Sequence, residues 1–287
     1  MPTTFVRDVN VHYREAGDGL GVVLLHSAGS SSGQWRRLTE RLAPRYRVLA
    51  PDLLGYGGTG HWTTGRLDLI ADEAEIAAAM IEIADAPVHL VGHSYGGHVA
   101  ARTALEYPEY VQSLTLIEPS LHYLLDHAHE NAAYAEIRAV ADPVLAHARR
   151  GELEQAARIF LDYWMGEGTL AAMAGPSRAA VIESMRKLAY QWPHSLERQR
   201  PALSDYRALA VPTLLIQGTE TTLALQRLMQ VLCSTLPNCE LVFIEGAGHM
   251  SAVTHAAAVN AAIESHLEKH APPMHVRQPV PDHARPV

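Results

Sequence analysis

The segment Val88-His89-Leu90-Val91-Gly92-His93-Ser94-Tyr95-Gly96-Gly97 runs from a short apolar stretch into a serine set between glycines. The stretch from His98 to Leu105 then reads as a helix. A nucleophilic serine must stand clear of its neighbours, which requires a sharp strand-to-helix turn. Glycines at 92 and 96 let the backbone make that turn. The helix behind it points unpaired N–H groups at the place where an oxyanion would form. A serine between glycines is often only a turn. The strand before it and the Gly-Gly and helix after it favour the nucleophile.

Outward from this point the chain repeats one theme. The runs 21–26, 47–50, 88–91, 113–117, 213–216 and 240–244 are mostly apolar and do not alternate. Strands covered on both faces read this way, which implies a parallel sheet with helices on each side. Segments 35–42, 67–84, 98–107, 223–236 and 256–270 read as the helices between them, giving an α/β fold. Residues 5–13 alternate instead and predict an antiparallel edge hairpin.

Residues 120–208 break the alternation. They show no strand, and Leu153, Ala156, Ala157, Phe160, Leu161 and Trp164 share one helical face, as do Val181, Met185, Leu188 and Trp192. The expected organisation is a core of 1–119 and 209–270 with a helical cap of 120–208 over the end of the sheet. Prolines at 272, 273, 279, 281 and 286 predict a flexible tail over 271–287.

Composition narrows the function. A chain of 287 residues, 48% hydrophobic and 19% charged, suits a globular enzyme. A net charge of −8 without a basic run argues against nucleic acid and anionic membranes as partners. No apolar run approaches the roughly 20 residues of a membrane span, and residues 1–8 do not resemble a signal peptide, so a cytoplasmic location is the default expectation. Cys233 and Cys239 make neither a disulfide framework nor a metal quartet, and His127 and His129 lie two apart in an expected loop. No metal and no cofactor are expected. Oligomeric state stays open, with a homodimer among the options.

Together with the serine motif, four segments resemble the α/β-hydrolase superfamily over about residues 5–270: Leu24-Leu25-His26-Ser27-Ala28-Gly29, residues 50–57 (A-P-D-L-L-G-Y-G), Ile117-Glu118-Pro119 and Gly246-Ala247-Gly248-His249. The resemblance implies a mainly parallel central sheet flanked by helices, with a helical cap. It makes Ser94 the nucleophile and His249 its base, and it implies an oxyanion hole from the backbone N–H groups of Ala28 and Tyr95. The family usually follows its first buried strand with His-Gly, where this chain has His26-Ser27. Many members place the triad acid after the next-to-last strand, where this chain has Thr221, with Glu220 one residue early. A subset, including zearalenone lactone hydrolases, takes the acid from the end of the preceding strand, where Glu118 stands. Glu118 is favoured, with Glu220 as runner-up.

The resemblance thus implies a serine hydrolase of a carboxylic ester or lactone, working through an acyl-enzyme on a small molecule. The stretch after Glu118 looks like that of zearalenone lactone hydrolases, which suggests a bulky aromatic lactone. Trp164, Trp192, Tyr190 and His93 are candidate substrate-binding residues, and Tyr163 offers a further aromatic face. Two rivals share the fold: a C–C bond hydrolase or lyase, and a slow-turnover receptor for a small ligand.

Overall fold

The computed structural model describes residues 1–60, 68–85, 87–197 and 201–272. Eight strands among them form one sheet: β1 (Thr3–Val6), β2 (Val9–Ala16), β3 (Leu20–Leu25), β4 (Tyr46–Pro51), β5 (Val88–His93), β6 (Val111–Ile117), β7 (Thr213–Gly218) and β8 (Cys239–Ile244). Their spatial order is β1-β2-β4-β3-β5-β6-β7-β8. The pairings β1–β2 and β2–β4 are antiparallel, and every pairing from β4 onward is parallel. The expected α/β-hydrolase architecture and the antiparallel edge hairpin are therefore both present.

The helices are α1 (Arg36–Leu42), α2 (Leu69–Ile83), α3 (Tyr95–Glu106), α4 (Tyr123–His127), α5 (Asn131–Arg149), α6 (Leu153–Met165), α7 (Thr169–Ala172), α8 (Gly175–Leu196), α9 (Leu203–Arg207), α10 (Leu223–Thr235), α11 (Ser251–Thr254) and α12 (Ala256–Lys269). Strand β3 shows why an inner strand can be apolar at every position. Val22 and Leu24 pack with Trp35, Leu38, Val259 and Ile263 on one face of the sheet. Val23 and Leu25 pack with Met80, Val99 and Ala100 on the other. Successive side chains alternate faces, and both faces are covered. At the edge, β8 breaks the expectation of a buried strand: Phe243 is 57% exposed.

Strand β3 has β4 on one side and β5 on the other, so the chain reverses its direction of travel across the sheet there. In open α/β sheets the crevice outside the carboxyl ends at such a point is the usual ligand site. The loops after β3 and β5 border it. Helix α3 begins at Tyr95, three residues before the periodic pattern at His98. Gly96 and Gly97 are weak helix formers, but close packing demands the first of them: a Cβ on Gly96 would lie 2.3 Å from the Leu25 carbonyl oxygen. Tertiary contact overrides propensity here.

Helices α4 to α9 occupy the chain between β6 and β7. Ile137, Val144, Leu161, Trp164, Leu188 and Trp192 join the same continuous apolar cluster as α2, α3 and the strands. Glu136 on α5 also accepts the N–H of Ala224 at 2.7 Å, in the first turn of α10, where a carboxylate complements the helix dipole. The tail expected over 271–287 lies outside the described residues from 273 onward.

Candidate active site

Ser94 occupies the turn between β5 and α3 with φ 53° and ψ −114°. A non-glycine residue held there costs roughly 1–3 kcal/mol and persists only where its surroundings fix it. Three backbone bonds do so. The Ser94 N–H donates to the Ile117 carbonyl at 2.9 Å, and the Ser94 carbonyl accepts from His98 at 3.1 Å and Ser120 at 3.0 Å. Gly92 is required as well, since a Cβ on it would meet the Gly96 carbonyl oxygen at 2.3 Å.

His249 comes from the turn after β8. Its Nε2 lies 3.0 Å from Ser94 Oγ, and its Nδ1 lies 2.8 Å from Glu118 Oε2. An ionised carboxylate only accepts, so Nδ1 carries the proton and Nε2 is left to accept from the serine hydroxyl. Glu118 ends β6 with φ 41° and is fully buried. Its Oε1 accepts the Gly218 N–H at 2.8 Å, and its Oε2 also accepts from Thr221 Oγ1 at 2.9 Å. Thr221, at the position where many relatives carry an acid, thus donates into the carboxylate of Glu118. An aspartate there would set a like charge against it. Glu220 is exposed, and its N–H bonds the Ala247 carbonyl at 2.9 Å.

Behind the imidazole runs a chain of polar groups. His93 Nε2 donates to the His249 carbonyl at 3.0 Å, and its Nδ1 accepts from Gln34 Nε2 at 3.1 Å. Gln34 Oε1 accepts from the Ser27 N–H at 3.1 Å and from Ser27 Oγ at 2.8 Å. Ser27, which replaces the family's usual glycine, anchors this relay. His93 is fully buried. Burial and the neighbouring His249 lower its pKa to about 3, keeping it neutral. It supports the backbone of His249. Expected as a substrate contact, it spends both its nitrogens inside the protein.

Of the two expected oxyanion donors, Tyr95 is the first residue of α3 and Ala28 is half-buried in the loop after β3. The Tyr95 hydroxyl donates to Glu73 Oε1 at 3.1 Å. Glu73 also accepts the Leu54 N–H at 3.0 Å and pairs with Lys187 Nζ of α8 at 2.7 Å. Lys187 donates to the Leu54 carbonyl as well, and its ammonium lies 4.0 Å from the centroid of Tyr56. Burial lowers the Lys187 pKa and Glu73 pulls it back up. Sequence reading missed Glu73, Lys187, Gln34 and the role of Thr221. The one available signal was Lys187, a charge set between Met185 and Leu188 of an apolar stripe.

This buried pair carries a testable energy. Lys187→Met should lower unfolding free energy by about 3–5 kcal/mol, because Glu73 is left charged and unpaired. Lys187→Met combined with Glu73→Gln should recover most of the loss, since the neutral amide can accept the Leu54 N–H through its oxygen and donate its NH2 to the Tyr95 hydroxyl, which can rotate to accept. Urea melts of the single and double variants check this. Equal losses in both would show that packing, not charge, sets the cost.

Aromatic side chains from α6 cover the imidazole. The Trp164 ring centroid lies 4.2 Å from that of His249 at an interplanar angle of 36°. Tyr163 lies 4.5 Å and Phe160 6.3 Å from Trp164. Trp192 packs on Phe160 at 5.4 Å and so backs the wall. Tyr190 stands two positions from Trp192, about 200° around the helix, and is 50% exposed. Tyr190, expected to contact substrate, thus lies off the helix face that Trp192 presents to Phe160. Ser120 Oγ, by contrast, lies 3.5 Å from Ser94 Oγ.

The family model described as the alpha/beta hydrolase family matches residues 22–262. The pimeloyl-(acyl-carrier protein) methyl ester esterase of Chromobacterium violaceum is 30% identical over 92% of this chain and 100% of that protein. The enzyme of the same name from Vibrio vulnificus is 28% identical over 85% of this chain and 93% of its own. Among solved structures, the enol-lactonase from Burkholderia xenovorans superimposes with a TM-score of 0.71 at 18% identity, covering 93% of this chain and 100% of that one. A match of this extent establishes that the chain belongs to the alpha/beta hydrolase family.

Proposed function

We propose that this ester-cleaving hydrolase works through Ser94, His249 and Glu118 and a covalent acyl-enzyme, on a small carboxylic ester or lactone. The observation that carries the reading is the continuous contact from Ser94 Oγ to His249 Nε2 at 3.0 Å and from His249 Nδ1 to Glu118 at 2.8 Å. The serine hydroxyl is a weak nucleophile until a base takes its proton. His249 takes it as Ser94 Oγ attacks the carbonyl carbon, and Glu118 stabilises the imidazolium. The carbonyl oxygen becomes an oxyanion facing the N–H groups of Tyr95 and Ala28. Losing one such donor typically costs about 3 kcal/mol. His249 then protonates the departing alkoxide. A water, deprotonated by the same imidazole, releases the acid and restores Ser94.

Two features support the substrate class. The wall of Trp164, Phe160 and Tyr163 offers flat apolar surface, which suits a bulky aromatic lactone of the zearalenone type. Helices α5, α6 and α8, which we read as a cap over the site, carry arginines interleaved with acids: Arg138 with Asp142 and Glu197, Arg158 with Asp162, Arg178 with Glu154 and Arg186 with Glu183. A surface of alternating sign supports a free small molecule over an acidic carrier protein.

The test is labelling of the purified protein with a fluorophosphonate, peptide mapping of the adduct, and product analysis on a panel of aryl esters and lactones. The expected results are an adduct on Ser94 and, from the esters, equal amounts of acid and alcohol. An unlabelled Ser94, or carbon–carbon cleavage products without alcohol, would overturn the reading.

A further inference from the structure

The loop that leaves β6 supplies Glu118, then Ser120, then His122, each two residues on. His122 is 1% exposed, and neither Nδ1 nor Nε2 has a hydrogen-bond partner. Its ring centroid lies 6.1 Å from Trp164, the same indole that covers His249. Two other buried imidazoles beside the site use both nitrogens within the protein. His26 accepts the Leu53 N–H at 3.0 Å and donates to the Ser27 carbonyl at 2.7 Å, and His93 uses both its nitrogens. A buried polar group without a partner costs about 1–3 kcal/mol. With both nitrogens unpartnered and its ring beside the indole that covers His249, His122 calls for an explanation.

We propose that His122 is a specificity-determining residue that binds a hydroxyl group carried by the substrate away from the bond being cleaved. The proposal rests on the ester or lactone reading above. The chemistry of the ring selects the ligand class. Burial and the adjacent His249 lower the pKa of His122 to about 3, so the ring is neutral and presents one N–H donor and one nitrogen acceptor. A hydroxyl both accepts and donates and matches that pair. A carboxylate only accepts, and would have to be desolvated against Trp164 with no cation to meet it. The aromatic wall holds the carbon skeleton and His122 reads its oxygen. The favoured substrate is therefore a hydroxylated aromatic ester or lactone, with a phenol or secondary alcohol set apart from the scissile group.

The experiment compares matched aromatic lactones, one bearing a free hydroxyl and the other its deoxy counterpart, in the full-length protein. The readout is the ratio of their kcat/KM values, which cancels general damage to folding. A site built around a hydrogen bond discriminates strongly against an analogue that lacks the group. Wild type should favour the hydroxylated member at least tenfold. His122→Phe, which keeps a ring but removes both nitrogens, should bring the ratio close to one. His122→Gln, which restores a donor and an acceptor, should recover part of it. A wild-type ratio near one, or an unchanged ratio in His122→Phe, overturns the proposal for His122 and leaves the ester reading standing. Failure of Ser94 to take up the fluorophosphonate overturns both.

Discussion

Ser94→Ala should lower kcat for a chromogenic ester about a million-fold, and Glu118→Gln about ten-thousand-fold. The first change removes the attacking oxygen. The second keeps the size of the side chain but takes away the charge that accepts from His249 Nδ1 at 2.8 Å. An amide can present its NH2 to that nitrogen, which turns the proton to Nε2 and leaves the ring unable to accept from Ser94. Two further donors, Gly218 N–H and Thr221 Oγ1, are built for a carboxylate at this point. Glu220→Gln should change kcat less than twofold, because that side chain is exposed. Steady-state kinetics on the three variants decide the matter. A larger loss in Glu220→Gln than in Glu118→Gln would show that the wrong carboxylate has been assigned.

The second large effect is on stability in acid. Burial lowers the pKa of His26 and His266 to about 4, and of His89, His93 and His122 to about 3. Unfolded, each would titrate near its ordinary value of about 6.5. Between these values the unfolded chain binds protons that the folded one refuses. The stability these groups supply is full above pH 6.5 and drains away as pH falls through about 4 for His26 and His266 and about 3 for the other three. Each contributes on the order of 1 kcal/mol per pH unit, and the five together on the order of 5. Against a typical total of about 5–15 kcal/mol, the protein should unfold within about two pH units below 6. Thermal melts at pH 7, 6 and 5 test this, together with the protons taken up on unfolding at pH 5. A melting temperature that holds steady from pH 7 to 5 would rule it out.

The sequence carried the central sheet well because covered strands leave a plain mark. Val22 to Leu25 are apolar at every position since helices flank both faces. The same mark misled at β8, whose run resembles the inner strands although it closes the sheet and leaves Phe243 exposed. Hydrophobicity records what a strand is made of and not whether it has two neighbours. Ser94 and His249, which the fold brings within 3.0 Å, each stood out by a short motif with a backbone reason. The proposed acid was less plain, since motif spacing favoured Glu118 but kept Glu220 as a rival. Their difference lies in the left-handed turn at the end of β6 and in Thr221, two features that meet only in three dimensions. Tyr190 and His93 show the same limit. Periodicity ranks residues as apolar or polar, whereas the helix phase and the hydrogen-bond partners decide which way each one faces.

In the triad proposed above, the Glu118 carboxylate at the end of β6 and the Ser94 alcohol belong to one strand–helix–strand unit, β5-α3-β6. Nothing longer than α3 and a short turn separates them along the chain. An acid placed after β7 would instead lie beyond some ninety residues of inserted helices, and its position would inherit any shift in how those helices dock. In this chain that long excursion can be lengthened, shortened or rebuilt for a new ligand while the alcohol and carboxylate keep their spacing. Only the imidazole loop is delivered from its far side. On the proposed reading, the wiring separates the reacting pair from the helices read as the cap.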